Sequence, residues 1–351
     1  MKKVHLLLAG MVFVLLAFIP AFGAEKKIEL TFSSVYQDRH QLMQNCVLPW
    51  LAEIKEKTGG RLEIRHFTPG TLVPEGEIYD SVVKGSLDMG MTMAGRNPGK
   101  FPYTAAFDEP LIAPGSASAS VALWNLYKDF PEIRKEFEET KVLTMYTSVP
   151  MQPVTKTPVK TLEDLAGKKM IITAAGSNQM AKALKTAPIM QGWPEVYMSL
   201  ERGLADGVYG PIAQLRPYKV HEVCKSVFVV NLRVSSMYIV MNKKVWESLP
   251  DDIKKILEEN TGEVLAARMG KTLDDSTHVD GQWMRERGLA FVVPSAAELQ
   301  KWQNAVSPLR EEWIKTAEGK GLKEARKIMD ACIAYGNKYA ELIKIRGYAG
   351  E

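Results

Sequence analysis

Apolar residues along the chain keep two rhythms. From Ile28 to Phe32 they alternate with polar ones, the period of a strand with one buried face. Leu42, Met43, Cys46, Val47, Trp50, Leu51 and Ile54 then recur every three or four residues, which predicts a helix from about Arg39 to Lys57 closed by Gly59-Gly60. A strand at Arg61 to Phe67, a helix at Glu77 to Lys84 and a strand at Met89 to Met93 follow. The order resumes with a helix near Val121 to Glu139, a strand at Val142 to Thr147, the short helix TLEDLAG, a strand at Met170 to Thr173 and a helix at Ser177 to Lys185. Two apolar runs, Ser226 to Val234 and Met237 to Met241, read as strands, and from Asp251 onward the periodicity is mostly helical. Strands alternating with helices define an α/β fold. Low-complexity linkers are missing from the sequence, so any two domains are joined by elements that cross between them.

One phrase occurs twice. EIYDSVVKGSLDMG (Glu77 to Gly90) and EVYMSLERGLADG (Glu195 to Gly207) share Glu, Tyr, Ser, Gly and Asp at matching places. Each reads as a short helix with a cation in its last turn (Lys84, Arg202), a glycine for the left-handed cap (Gly85, Gly203) and a buried strand beyond. Helix, glycine and strand are common punctuation, but five identities at fixed spacing favour a structural duplication. Two such units facing each other would line one cleft beyond the carboxyl ends of their strands.

Composition narrows the class. A chain of 351 residues with 46% hydrophobic and 25% charged content has material for two cores and is not disordered. Residues 1–23 carry Lys2 and Lys3, an apolar run from Leu6 to Ile19 and the small-residue end Ala21-Phe22-Gly23, the form of a secretory signal peptide cleaved before Ala24. The run is short for a membrane span. Loss of Lys2 and Lys3 takes the formal charge from +4 to +2. Basic runs with interleaved aromatics are absent, which argues against nucleic acid as a partner. Cys46, Cys224 and Cys332 are odd in number and lack metal-ligand spacing; helical periodicity around Cys46 and Cys332 reads as buried thiols, and a disulfide is not assigned.

In order along the chain, KTGGRLEIRHFTPGTL, EIYDSVVKGSLDMGMT, TLEDLAGKKM, EVYMSLERGLADG and NKKVWESLPDDIKKIL resemble the substrate-binding proteins of tripartite ATP-independent periplasmic (TRAP) transporters, the DctP-like family. The resemblance covers essentially all of the mature chain. It implies a two-domain periplasmic binding protein with a central ligand cleft, a hinge of crossing strands and a long helix spanning both domains. The implied division is residues 24–148 with 236–275 as domain I and residues 149–235 with 276–351 as domain II. It also implies a periplasmic protein that delivers its ligand to a small and a large membrane subunit, without ATP and without a cofactor.

Against the family pattern, Ile171 stands where an arginine usually holds the ligand carboxylate, and a second common arginine falls on or next to Met151. Gly210 stands where Asn is frequent. The remaining candidates for ligand contact are Arg96 and Asn97 after the third strand, Trp193, Tyr209 and Gln214 around the second repeat, and Tyr36 and His40 after the first strand. Each has a plainer reading as surface charge, core or helix-start residue. With arginines replaced by Met151 and Ile171, the expectation is a small, dry cavity for a singly charged anion. Scattered donors suit a tetrahedral sulfonate such as isethionate, whereas a planar arginine fork suits a carboxylate. A small hydroxy acid, or an aromatic or neutral ligand stacked on Trp193, is the alternative.

Enzyme signatures are missing. GxSxG, HExxH and the dinucleotide fingerprint do not occur, and Gly90 to Gly95 ends in Arg96-Asn97 rather than the Lys-Ser/Thr of a phosphate loop. His40, His66, His221 and His278 have no ligand-like spacing, and Asp251-Asp252 is explained as a helix start. The reading is a binding protein rather than an enzyme, with no metal site.

Overall fold

A computed structural model describes residues 27–346; the signal-peptide reading of residues 1–23 lies outside the described residues. Among the described residues the strands are β1 (Ile28–Ser34), β2 (Leu62–Phe67), β3 (Met89–Met93), β4 (Thr140–Thr147), β5 (Met151–Thr155), β6 (Lys169–Ile172), β7 (Ala187–Met190), β8 (Gly207–Pro211), β9 (Ser226–Phe228), β10 (Ser236–Asn242) and β11 (Ala290–Val292). They form two sheets, ordered β2-β1-β3-β10-β4 and β11-β9-β5-β8-β6-β7. In the first, β1, β2 and β3 run parallel and β10 runs antiparallel to both β3 and β4; in the second, β6, β7 and β8 run parallel and β5 is antiparallel to β8. Apolar clusters cover both faces of each sheet, as parallel strands require.

The duplicated phrase is duplicated structure. Helix Ile78–Lys84 ends on Gly85 in the left-handed region (φ 79°), and helix Trp193–Glu201 ends on Arg202, one residue before Gly203 (φ 72°). Ser81 and Ser199 accept through their main-chain oxygens the N–H groups of the two residues after each glycine. The repeated aspartates do the same work in each sheet. Asp88 accepts the N–H and hydroxyl of Thr31 on β1, and Asp206 accepts the N–H of Lys169 on β6, each at 2.8 Å. Each carboxylate therefore ties the start of one strand to its neighbour.

The chain passes between sheets along residues 148–151 and returns along 232–235. These stretches pair antiparallel through Ser148 N–H to Ser235 O (3.0 Å), Met151 N–H to Arg233 O (2.9 Å) and Leu232 N–H to Met151 O (3.0 Å). Helix Gly262–Arg285 crosses a third time: Leu265, Met269 and Leu273 pack in a core of the first sheet and Met284 in a core of the second. The sequence reading puts all of residues 276–351 with the second sheet, yet helix Ala325–Arg346 packs against Ser116–Asp129. Its Ala325, Ile328, Met329 and Cys332 are buried with Leu123 and Leu126 in a core of the first sheet.

Several boundaries differ from the sequence reading for local reasons. The first helix opens as a π-helical turn, Met43–Val47, before the α-helix Leu48–Lys57 with Pro49 in its first turn. Helix Ser116–Asp129 starts earlier than the periodicity shows, because Asp274 on the spanning helix accepts the N–H groups of Ser116 and Ala117 (2.9 and 2.8 Å), serving as its cap from elsewhere in the chain. Pro131 then begins a separate short helix, Pro131–Lys135. The run Ser226 to Val234 stays in the sheet only through Phe228, since the Gln152 side chain takes the N–H groups of Val230 and Asn231 (both 2.8 Å) and Asn231 turns left-handed (φ 51°). The three cysteines are free and buried.

Candidate functional site

Parallel strands in both sheets place the carboxyl ends of β1 and β3 in one lobe and β6 and β8 in the other around the crossing strands, where open α/β sheets bind ligands. The end of β1 is closely tied. Ser34 Oγ donates to the Tyr36 carbonyl (2.7 Å) and accepts the Tyr36 N–H (3.1 Å), and it lies 2.8 Å from His66 Nε2. His66 Nδ1 is 2.6 Å from Asp38. These bonds fix the turn that presents Tyr36 and His40, whose rings stack at 4.1 Å, while the Tyr36 hydroxyl points to Met237 Sδ (3.2 Å) on β10. Burial pushes the His40 imidazole down to about 4 and the Tyr36 phenol up, so both are uncharged at neutral pH.

Arg233, on the returning crossing strand, is the charged centre that sequence reasoning missed. Its Nε donates to the Asp108 carbonyl (2.6 Å), Nη2 lies 3.6 Å from Asp108 Oδ2, and Nη1 donates to Ser177 Oγ (3.4 Å). Its side chain is 12% exposed and that of Asp108 is 6% exposed. Burial raises the Asp108 carboxyl, with Arg233 opposing, and Asp108 also accepts the Ser236 N–H (2.6 Å). The guanidinium lies against the turn that follows β6: a Cβ on Gly176 would come within 2.9 Å of Nη2. Three of the five guanidinium N–H groups have these neighbours and two have no hydrogen-bond partner among the described residues; Glu109, whose carboxyl burial pushes up to about 7, is a second acid held down by the Arg233 charge. A lone cation inside the apolar run Ser226 to Val234 was the sequence signal for it.

Arg233 pairs in register with Met151, so the crossing strand opposite Met151 supplies a guanidinium where Met151 itself has none. Met151 Sδ sits 3.9 Å from Ser177 Oγ, on the same side. Two other candidates do not line a cleft. Ile171 is fully buried in a core between Ile189 and Val208, its pairing partners on either side, and Tyr209 is buried in another core with its hydroxyl 3.2 Å from Thr186 Oγ1. Both lie inside a sheet covered on both faces and are core residues rather than cleft residues. Arg96 is exposed and paired with Glu75 (3.2 Å), while Asn97 accepts from the Tyr238 hydroxyl (3.3 Å) and donates to the Gly76 carbonyl (3.4 Å). Half-buried Trp193 stacks on Tyr218 (5.3 Å between ring centres) and lies over Gly210, where a Cβ would meet its ring at 2.4 Å. Gly210 is thus the space for Trp193. Gln214 is half-buried on the short helix Ile212–Leu215 after β8.

Two α/β lobes, paired crossing strands, a spanning helix and a guanidinium at the hinge define the class of two-lobed solute-binding proteins. The chain belongs to the bacterial extracellular solute-binding protein family 7, the DctP family, whose model matches residues 32–316; it is a TRAP periplasmic solute-binding protein. It is similar to a TRAP periplasmic solute-binding protein from Desulfovibrio salexigens, solved as an open complex with the C-terminus of a symmetry mate in its ligand-binding site. The identity is 28% and the TM-score 0.82, over 89% of this chain and 97% of that one. It is also similar to a marine-metagenome TRAP solute-binding protein specific for aromatic acid ligands, solved with 3-hydroxybenzoate (25% identity, TM-score 0.80, 90% of this chain and 99% of that one). Among curated proteins it is 23% identical over 312 residues to the outer membrane transporter protein TsaT of Comamonas testosteroni, covering 88% of this chain and 92% of that one. Among the described residues no helix is long and apolar enough to cross a membrane.

Proposed function

We propose that this protein captures a small organic monocarboxylate in the cleft between its lobes and hands it to the small and large membrane subunits of a TRAP transporter from the periplasm. The observation that carries the reading is Arg233, a nearly buried guanidinium at the hinge with two N–H groups that have no hydrogen-bond partner among the described residues. One planar fork matches one carboxylate bidentately. It also removes the reason for preferring a tetrahedral sulfonate, which rested on scattered donors, so isethionate becomes the competing ligand. A compact ring is favoured for the rest of the ligand, because Met151, paired with Arg233, and the uncharged Tyr36 and His40 at the end of β1 offer no second charge to an anion. The similarity to a protein specific for aromatic acids supports the same class. Ligand touching both lobes favours the closed arrangement by its differential affinity.

The test is thermal unfolding of the chain from Ala24 with benzoate, 3-hydroxybenzoate, mandelate, lactate, isethionate and succinate. A ligand at about 1,000 times its Kd adds roughly 4 kcal/mol to the folded state. Stabilisation by an aromatic monocarboxylate, lost in Arg233→Met, is the expected result. Stabilisation by isethionate alone, or by succinate in preference to the monoacids, overturns the assignment.

A further inference from the structure

We infer that a second small-acid site lies on the back of the hinge, centred on Arg285. A cavity of about 470 Å³ opens there, within the roughly 300–1,000 Å³ range of small-ligand pockets. It is separated from the cleft by the crossing strands. Met151 faces Ser177 and the cleft side, whereas the next residue, Gln152, lines the cavity, as side-chain alternation along a strand requires. Its walls come from both lobes: Pro114 and Ser118 from the first, Ile212, Val229 and Phe291 from the second. The floor is one face of the spanning helix, Thr277, His278, Gly281 and Arg285, at the three- and four-residue spacing that keeps side chains in line.

Two polar groups at this cavity lack a protein partner among the described residues. Arg285 is exposed to solvent, with its guanidinium 4.3 Å from the centre of the Phe291 ring, and among the described residues it makes no hydrogen bond or ion pair. Thr277 Oγ1 is buried and has no hydrogen-bond partner among the described residues. The two acids at the cavity do not compensate them. Asp274 already receives two main-chain N–H groups, and Glu341 is exposed at the rim. Unused donors beside Phe291, Ile212 and Val229 suit a small monoacid with an apolar body, its carboxylate on Arg285 and its ring on the Phe291 wall. Because both lobes contribute walls, an occupant also changes the balance between lobe arrangements, and cleft and cavity are thermodynamically linked.

Calorimetric titration of the chain from Ala24 with benzoate up to millimolar concentration tests this. Wild type should show two classes of site. Arg285→Gln should weaken the looser class at least 10-fold and leave the tighter class in place, and Thr277→Val should weaken the looser class to a smaller degree. Arg233→Met should remove the tighter class and leave the looser one. A single class in wild type, or a looser class unchanged by Arg285→Gln, overturns the second site. A tighter class that survives Arg233→Met overturns the cleft assignment instead, and the two failures are distinct.

Discussion

Removing the Arg233 guanidinium separates two roles that the structure gives it. Arg233→Met leaves the Asp108 carboxyl nearly buried with the Ser236 N–H as its remaining donor and the Asp108 carbonyl without its 2.6 Å bond. Breaking a buried ion pair by deleting one partner costs about 3–5 kcal/mol, because the other charge stays desolvated. Asp108 answers by keeping its proton to higher pH, since burial already raises it and Arg233 is the charge that holds it down. The double variant Arg233→Met/Asp108→Asn should therefore recover part of the loss, with a coupling of about 2 kcal/mol in a double-mutant cycle read by urea unfolding. Ligand binding responds separately. Losing the fork should weaken a carboxylate by about 2–5 kcal/mol, roughly 30- to 4,000-fold. Arg233→Lys keeps the charge against Asp108 but not the planar donor pair, so it should unfold within about 1 kcal/mol of wild type and still bind the acid at least about 10-fold more weakly. If Arg233→Met unfolds at the wild-type urea midpoint and Asp108→Asn shows no coupling to it, the buried pair is energetically silent and the reasoning fails. Unchanged affinity in both single variants refutes the ligand role.

The repeat predicts matched costs in separate lobes: Asp88→Ala and Asp206→Ala should each lose about 1–3 kcal/mol in urea unfolding by orphaning a strand N–H, Asp88 the more because it also holds the Thr31 hydroxyl. The double variant should lose the sum, and strong non-additivity would contradict independent units. Gly210→Ala drives a methyl into the Trp193 ring, so it should cost about 1–3 kcal/mol and shift tryptophan emission; an unchanged spectrum would mean that the ring does not rest there. Glu136 accepts the Tyr103 and Thr104 N–H groups and the Thr104 hydroxyl, and burial pushes its carboxyl up from 4.5 to about 7. The folded state thus binds this proton more tightly than the unfolded chain, and the penalty for the charged form is full above pH 7 and disappears as pH falls to about 4.5. Relative to Glu136→Gln, wild type should gain roughly 3 kcal/mol across that window on acidification, and parallel stability curves would refute the shift.

Periodicity and turn chemistry were enough to read most elements, because they depend on residues close in sequence. The repeated helix, glycine cap and strand needed no distant information: Gly85 and Gly203 take the left-handed cap their neighbours predict. What the sequence concealed was set by contacts across the fold. Asp274 determines where helix Ser116–Asp129 starts, and Gln152 determines where β9 stops, although neither signal is local to the element it controls. The binding residues were concealed for a related reason. Against the family pattern Met151 and Ile171 stand as lost arginines, and from their side chains a cleft without a fork follows. Yet Ile171 points into a core, and the residue paired across from Met151 is Arg233. An antiparallel pair brings two distant positions to one place, so a guanidinium at the hinge can come from either crossing strand while its location in space hardly changes. Charge recognition constrains the position of the fork, not the strand that carries it, and a lone cation in an apolar crossing strand deserves the weight otherwise given to a motif position.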